Sequence, residues 1–478
     1  MTRAIVVGSG PNGLAAALTL AKAGVDVEVL EAAGTVGGGT RSGELTLPGL
    51  IHDECSGFHP LAVDTAFSRE FDLARYGLTW RWPQVQYSHP LDGGRGAAAL
   101  RSVRETAALL GRDGRRWRGV FGPLTERFDR IASDFLRPVL RVPSHPLAIA
   151  RFGMLSGIPA SMLARVWSTP QARALFGGVA AHAMRPLSAP LSAAIGVALG
   201  TAAHAYGWPV AEGGSAAISR AMVAALDELG GKVDTGVRVE SLAQLGRADL
   251  VMLDVAPRAA VRIAGDAMPR RIARALGRYR HGPGVFKVDF ALDGEVPWTH
   301  EESRRAGTVH VIGDYAELAR AEWQVARGRM PERPYVLVGQ QYLGDPSRAD
   351  GARRPLYTYA HVPAGFTGDA TALIEAQIER FAPGFRDQIV ARHVSTPAQL
   401  EQHNPNYIGG DVVTGANTAR QLVFRPRLAV NPYSTGVPGV YLCSAATPPG
   451  AGAHGMCGYN AARAALAKLR HGTPARRA

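Results

Sequence analysis

The chain is poor in lysine, in cysteine and in long unbroken apolar sequence. Lysine occurs only at Lys22, Lys232, Lys287 and Lys468, so the formal net charge of +13 rests on arginine. That balance favours anionic groups as partners, whether cofactor phosphates or an anionic lipid surface. The arginines are scattered without interleaved aromatics and no nucleic-acid motif is present, which argues for no nucleic acid among the partners. Cys55, Cys443 and Cys457 form neither a CxxC pair nor a metal-ligand spacing. Three cysteines in 478 residues exclude a disulfide framework and point to a reducing compartment. The missing CxxC also removes disulfide-reductase chemistry. No Ser/His/Asp arrangement and no metal set (metal: none) is visible, and there is no internal repeat. The longest uncharged run, between Arg185 and His204, contains Pro186 and Pro190 and reads as a buried helix. No signal peptide precedes the first strand. The expectation is a soluble, cytoplasmic protein. Peripheral contact with the inner membrane face is a further expectation, carried by Arg270, Arg271, Arg274, Arg278 and Arg280.

What is present is a globular composition, 46% hydrophobic and 19% charged, over a length that calls for two or more domains. The opening stretch holds the strongest signal. Ala4 to Val7 reads as a buried parallel strand, Leu14 to Ala23 as a helix, and Val25 to Glu31 as a second strand ending in an acid. Between strand and helix lie Gly8, Gly10 and Gly13, a GxGxxG spacing with Pro11 and Asn12 inside it. Gly8 allows the tight turn, Gly10 the approach of a diphosphate, and Gly13 close helix–strand packing. The helix N-terminus offers amides and a positive dipole end, and Glu31 an acceptor for ribose hydroxyls. A strand, helix, strand and terminal acid together predict dinucleotide binding.

A second glycine cluster follows at Gly37, Gly38 and Gly39, with Arg41 just beyond. Such a loop lies beside a flavin's ribityl chain and diphosphate, and Arg41 can neutralise a phosphate. This favours FAD over NAD. No second GxGxxG for NADPH is found. Near the other end, Gly439 to Ser444 reads as a strand, Ala445 to Ala453 as a loop, and His454 or Gly455 to Leu469 as a helix. The amides of Gly455, Met456, Cys457 and Gly458 would face the flavin's pyrimidine edge, where a helix N-terminus favours the reduced ring.

These segments, together with GWPVAEGGSAAISRAMVAALDELGGKVDTGVRVESL, HDECSGFHPLA, FKVDFALDGEVPW, NPNYIGGD and VFRPRLAVNPY, resemble the phytoene desaturase-like FAD flavoproteins (carotenoid and retinoid oxidoreductases) over nearly the whole chain. The likeness is to the branch of bacterial phytoene dehydrogenase-related proteins and pyridine nucleotide-disulphide oxidoreductase domain-containing protein 2. One departure concerns the second glycine cluster. Carotenoid desaturases carry an arginine directly after the glycine pair, whereas here Gly39 and Thr40 precede Arg41, which weakens transfer of a carotenoid substrate. The resemblance implies an α/β architecture: a discontinuous Rossmann-like FAD-binding domain (1–86, 206–285 and 421–478) and an inserted α+β substrate domain (87–205 and 286–420). Within it Gly213-Gly214 open a helix to Leu229, KVDTGVRVESL forms a strand pair with Val239 beside the adenine, and Asp249 to Pro257 give another strand. The stretch 87–205 is expected to be mostly helical, and GTPARRA a disordered tail.

The implied activity is FAD-dependent oxidation or reduction of a small apolar substrate, isoprenoid or lipid-like, by dehydrogenation, saturation or isomerisation. Oxygen or a quinone would reoxidise the flavin. The cofactor-binding candidates are Gly8, Gly10, Pro11, Asn12, Gly13, Glu31, Gly38, Gly39, Arg41, Val239, Ser444, Gly455 and Met456. His454 and His59 are the catalytic candidates, His454 as a positioning or charge-tuning group more than a general base. Cys457 reads as a structural thiol whose position at a helix start would lower its pKa. Two alternatives stand beside this reading. A flavin amine oxidase would need a lysine near the flavin, for which Lys287 is the candidate. A binding protein would hold FAD without turnover.

Overall fold

The computed structural model describes residues 2–472. GTPARRA lies almost wholly outside the described residues. Five short segments form a parallel sheet, three of them wholly or almost wholly apolar. Its order is Val440–Leu442, Leu250–Leu253, Arg3–Val7, Asp26–Glu31, Lys232–Thr235. Alternate residues face opposite sides, as the period of a strand dictates. Ala4, Val6, Val27, Val29, Leu250 and Met252 pack under helices Pro11–Lys22, Ala216–Glu228 and Met456–Gly472. Ile5, Val7, Val251 and Leu253 pack with Ala260 and Ile263 of helix Pro257–Ala264 on the other side. Both faces are covered along residues 4–7, Leu250–Leu253 and Val440–Leu442, which carry no charged residue, whereas Asp26–Glu31 alternates and the edge strand Lys232–Thr235 is largely exposed. The fold is α/β with a Rossmann-like dinucleotide-binding half.

A second, seven-stranded sheet runs Ile389–Ser395, Gly284–Asp293, Arg353–Val362, Val336–Gly339, Ala306–Val311, Val85–Pro90, Gly96–Ala99. It is antiparallel except where Ala306–Val311 meets Val85–Pro90. The strands Val85–Pro90 and Gly284–Asp293 cross the expected 86/87 and 285/286 boundaries. Helices from Val103–Leu109 to Ala193–Ala205 form the helical part, with the rings of Trp117, Phe121, Trp167 and Phe176 packed together in its core. The uncharged run after Arg185 does become the buried helix Ala193–Ala205.

One sequence expectation is corrected. KVDTGVRVESL is not a strand pair: only Lys232–Thr235 joins the sheet. Gly236 turns with φ near +75°, and the amides of Gly236 and Val237 go to the carbonyls of Ala33 and Glu31 at 2.9 and 2.8 Å. These two bonds tie the chain to the neighbouring loop, and the Glu240 and Ser241 amides go to the Gln244 side chain instead of to a return strand.

Candidate cofactor and active site

Gly8 follows the first strand with φ near +101°, a region that side chains rarely adopt. A Cβ on Gly13 would stand 2.0 Å from the Gly8 carbonyl oxygen, so the first helix starts in contact with the strand it follows. Gly10 caps that helix without a side chain, and Pro11 opens its first turn. A buried acid, Asp254, enters this cradle from the end of Leu250–Leu253. Its Oδ2 accepts the Gly13 amide at 3.0 Å and would lie 2.7 Å from a Cβ on Gly10. Burial pushes its carboxyl up to about 7; the Gly13 amide opposes that shift and the nearby Glu31 adds to it.

Glu31 is buried at the end of its strand. Its Oε2 accepts the Ser9 amide and hydroxyl at 2.8 and 2.7 Å, and its Oε1 accepts the Ala33 amide at 2.8 Å. A carboxylate has about four acceptor positions, so one remains for a hydroxyl donor. Arg41 stands 3.6 Å from Oε1 and donates to the Thr35 carbonyl at 3.0 Å. Between them the loop of Gly38 and Gly39 runs tight: a Cβ on Gly38 would be 3.1 Å from the Gly10 Cα, and one on Gly39 2.3 Å from the Tyr407 hydroxyl. Val239 is half-buried with Ile5, Val7 and Leu30, just beyond the bond from Val237 to Glu31.

The closing segment meets this cradle from the other side. Ser444 follows the edge strand Val440–Leu442, and Met456 begins the last helix. A Cβ on Gly458 would fall 1.7 Å from the Asn12 carbonyl oxygen, so the last and first helices cross in backbone contact. Gly455 has φ near +69° and lies against Ala15 and Phe67. The Met456 amide donates to His454 Nδ1 at 3.1 Å, which fixes the ring's proton on Nε2. Burial lowers His454 to about 4, so the ring is neutral. Cys457 is buried and its thiol is pushed up to about 12 by that burial, the reverse of the expected lowering. A cleft of about 200 Å³ lies beside His454, lined by Phe67, Trp80, Ile218, Met222 and Ala453 among others.

His59 lies on the loop after the second glycine cluster, where the Ser56 amide donates to the Gly39 carbonyl at 3.0 Å. Its ring nitrogens face the hydroxyls of Ser215 at 3.2 Å and Ser56 at 3.4 Å, its ring lies 5.5 Å from Trp80, and burial lowers it to about 4. The remaining sites cluster at the carboxyl ends of the parallel strands, where dinucleotides bind in such sheets. Three buried polar atoms there have no protein partner: Asn12 Oδ1, Arg41 Nε and Ser444 Oγ. Buried polar groups are nearly always bonded, so three orphans around one glycine cradle fit a polar, phosphate-bearing cofactor.

Sequence reasoning missed Asp254, although an acid closing an apolar run, as Glu31 does, was its signal. It named Lys287 but missed the buried polar cluster around it, where the second sheet meets the loop after the glycines. Lys287 pairs with Asp289 and lies 4.5 Å from the Tyr357 ring centre; His52 Nδ1 is 3.6 Å from Asp289 Oδ1. Beside it, buried Arg348 binds Asp53 Oδ2 at 2.6 Å and Asp345 Oδ2 at 3.1 Å. Lys287–Asp289 and Asp345–Arg348 are local pairs, but His52 meets Asp289 and Asp53 meets Arg348 across more than two hundred positions, beyond the reach of any local pattern.

Comparison with known proteins agrees with this geometry. A family model described as "NAD(P)-binding Rossmann-like domain" matches residues 6–67. The "pyridine nucleotide-disulfide oxidoreductase domain-containing protein 2" of Mus musculus is 38% identical over 95 residues. That match spans 20% of this chain and only 16% of the mouse protein. An oxidoreductase from Methanosarcina mazei superposes with a TM-score of 0.65 at 15% identity, covering 98% of this chain and 100% of that one. A putrescine oxidase bound to putrescine superposes with a TM-score of 0.60 at 19% identity, covering 98% and 99%. The chain therefore has the fold of dinucleotide-binding oxidoreductases.

Proposed function

We propose that this chain is an FAD-dependent oxidoreductase of the phytoene desaturase-like kind: a dehydrogenase, saturase or isomerase for an apolar, isoprenoid or lipid-like substrate. The observation that carries the cofactor is the double glycine cradle with the orphaned atoms of Asn12, Arg41 and Ser444 around it. FAD, when bound, supplies an acceptor or donor of a hydride or electron pair. The chain's own work is to hold and shield. The glycines admit the diphosphate, Arg41 offers it a cation, and Glu31 keeps an acceptor for a ribose hydroxyl. The last helix begins at the cleft, and its positive dipole end favours negative charge developing there. His454, neutral and bonded to its own helix start, positions that turn. The cleft is walled by Phe67, Trp80, Ile218 and Met222, which suits an apolar molecule, with Ser68 and Asp72 among its polar groups.

The test is direct. Denatured protein should release FAD, and anaerobic mixing with isoprenoids or fatty acyl compounds should change the flavin spectrum. A folded protein that neither contains nor binds FAD would overturn the reading. An amine oxidase is the second reading, favoured by buried Lys287 beneath Tyr357. Bleaching by amines and not by apolar substrates would select it. A flavin that no compound in either panel reduces would leave the cofactor structural.

A further inference from the structure

The face formed by residues 139–166 is apolar where it meets solvent and lacks any negative charge. Val142, Leu147 and Met154 are 87%, 84% and 70% exposed, and Val139, Leu140 and Met162 are exposed beside them. Within helix Pro146–Ser156, Ala148 and Phe152 turn inward while Leu147, Arg151 and Met154 turn outward at helical spacing. An ordinary surface helix presents polar residues there. The sequence holds no Asp or Glu at all between Asp134 and Glu212, while Arg137, Arg141, Arg151, Arg165, Arg173 and Arg185 fall in that stretch. Asp134 itself is buried, accepting the amides of Ser144 and His145 and pairing with Arg141. The carboxylates beside it, Asp64 and Asp129, lie in the adjoining cleft and not among residues 139–166.

We infer that this face docks on an anionic lipid bilayer, with its apolar side chains entering the interface and its arginines meeting the headgroups. Exposed apolar residues supply burial and the arginines charge complementarity, the two terms that hold a peripheral protein on a membrane. The docking does not span. No single helix among the described residues is long and apolar enough to cross, and Pro146–Ser156 and Ala160–Val166 meet at a 92° bend. A small cleft beside the face is lined by Leu136, Ala66 and Met456 together with the charged Asp64, Arg69, Asp129 and Arg137. The alternative basic helix, Arg270–Gly277, buries Ile272 and Leu276 and exposes no large apolar side chain for a bilayer to take up.

Flotation of the full chain with vesicles of phosphatidylglycerol and phosphatidylcholine tests this. The wild type should float at low salt, much less at high salt and little with phosphatidylcholine alone. Leu147→Glu/Met154→Glu and Arg151→Gln/Arg165→Gln should each lower the bound-to-free ratio by about tenfold or more. Arg270→Gln/Arg274→Gln should float as the wild type does. All of these positions are exposed or half-buried, and circular dichroism would verify folding. Absence of flotation at low salt, or undiminished flotation of Leu147→Glu/Met154→Glu, overturns the inference. So does a wild-type dimer that these two substitutions convert to monomer, because a second copy would then be what covers the face.

Discussion

Asp254 concentrates the residue-scale questions. It is a buried carboxyl set against the first helix turn with no cation in hydrogen-bond contact. The folded state keeps its proton up to about pH 7, while an unfolded chain gives it up near 3.8. Folding therefore takes up a proton between those values, and this contribution to stability is lost as pH rises through that window. Asp254→Asn should remove the dependence, with the variant gaining up to about 4 kcal/mol over the wild type at pH 8 and little at pH 4. Urea unfolding at the two pH values measures it, and equal differences at both would contradict it. An ionised Asp254 also opposes a diphosphate, so the variant should bind FAD more tightly at pH 8. His454 behaves in the opposite sense. Its folded value near 4 lies below the ordinary 6.5, so its contribution is present above pH 6.5 and lost as pH falls toward 4. His454→Ala should lose that dependence and about 1 kcal/mol of capping, and keep the cofactor.

At the scale of elements, the crossing of the first and last helices decides whether the cradle closes. Gly458 is the contact: any Cβ there would enter the Asn12 carbonyl. Gly458→Ala should push the helices apart, at about 1–3 kcal/mol by the usual cost of overpacking. Because Asn12 belongs to the cradle, cofactor content should fall further than stability alone requires. Thermal melts with flavin quantified in the same samples separate the two, and full flavin content in a destabilised variant would show that the crossing does not shape the site. Gly455→Val acts on the same turn, where φ near +69° disfavours a branched side chain.

At the scale of the whole molecule, Arg348 joins the loop after the glycines to the connections of the second sheet. Burial alone would raise Asp53. The Arg348 guanidinium, the Ser215 amide and the Ser42 hydroxyl outweigh that and hold it below its ordinary value. This ties the loop after the glycines to the second sheet's connections. Arg348→Met strands two buried carboxylates and should cost about 3–5 kcal/mol. It should also broaden the unfolding transition as the halves lose their coupling. A sharp transition at the wild-type midpoint would mean that the network holds little.

The sequence by itself determined the cradle. Strand, glycine turn, helix and strand ending in Glu31 lie within thirty-one residues, and each is dictated by local sterics and periodicity. Gly8 and Gly13 were legible because a Cβ has no room at either, whatever the rest of the chain does. The same locality made the parallel strands and the closing helix readable. What only the tertiary structure decided is the company these groups keep. Asp254 reaches Gly13 across 241 positions, and Arg348 reaches Asp53 across 295. Val237 joins Glu31 instead of a return strand. Neither propensity nor spacing encodes such pairings, because each becomes favourable only after burial has removed water as the competing partner.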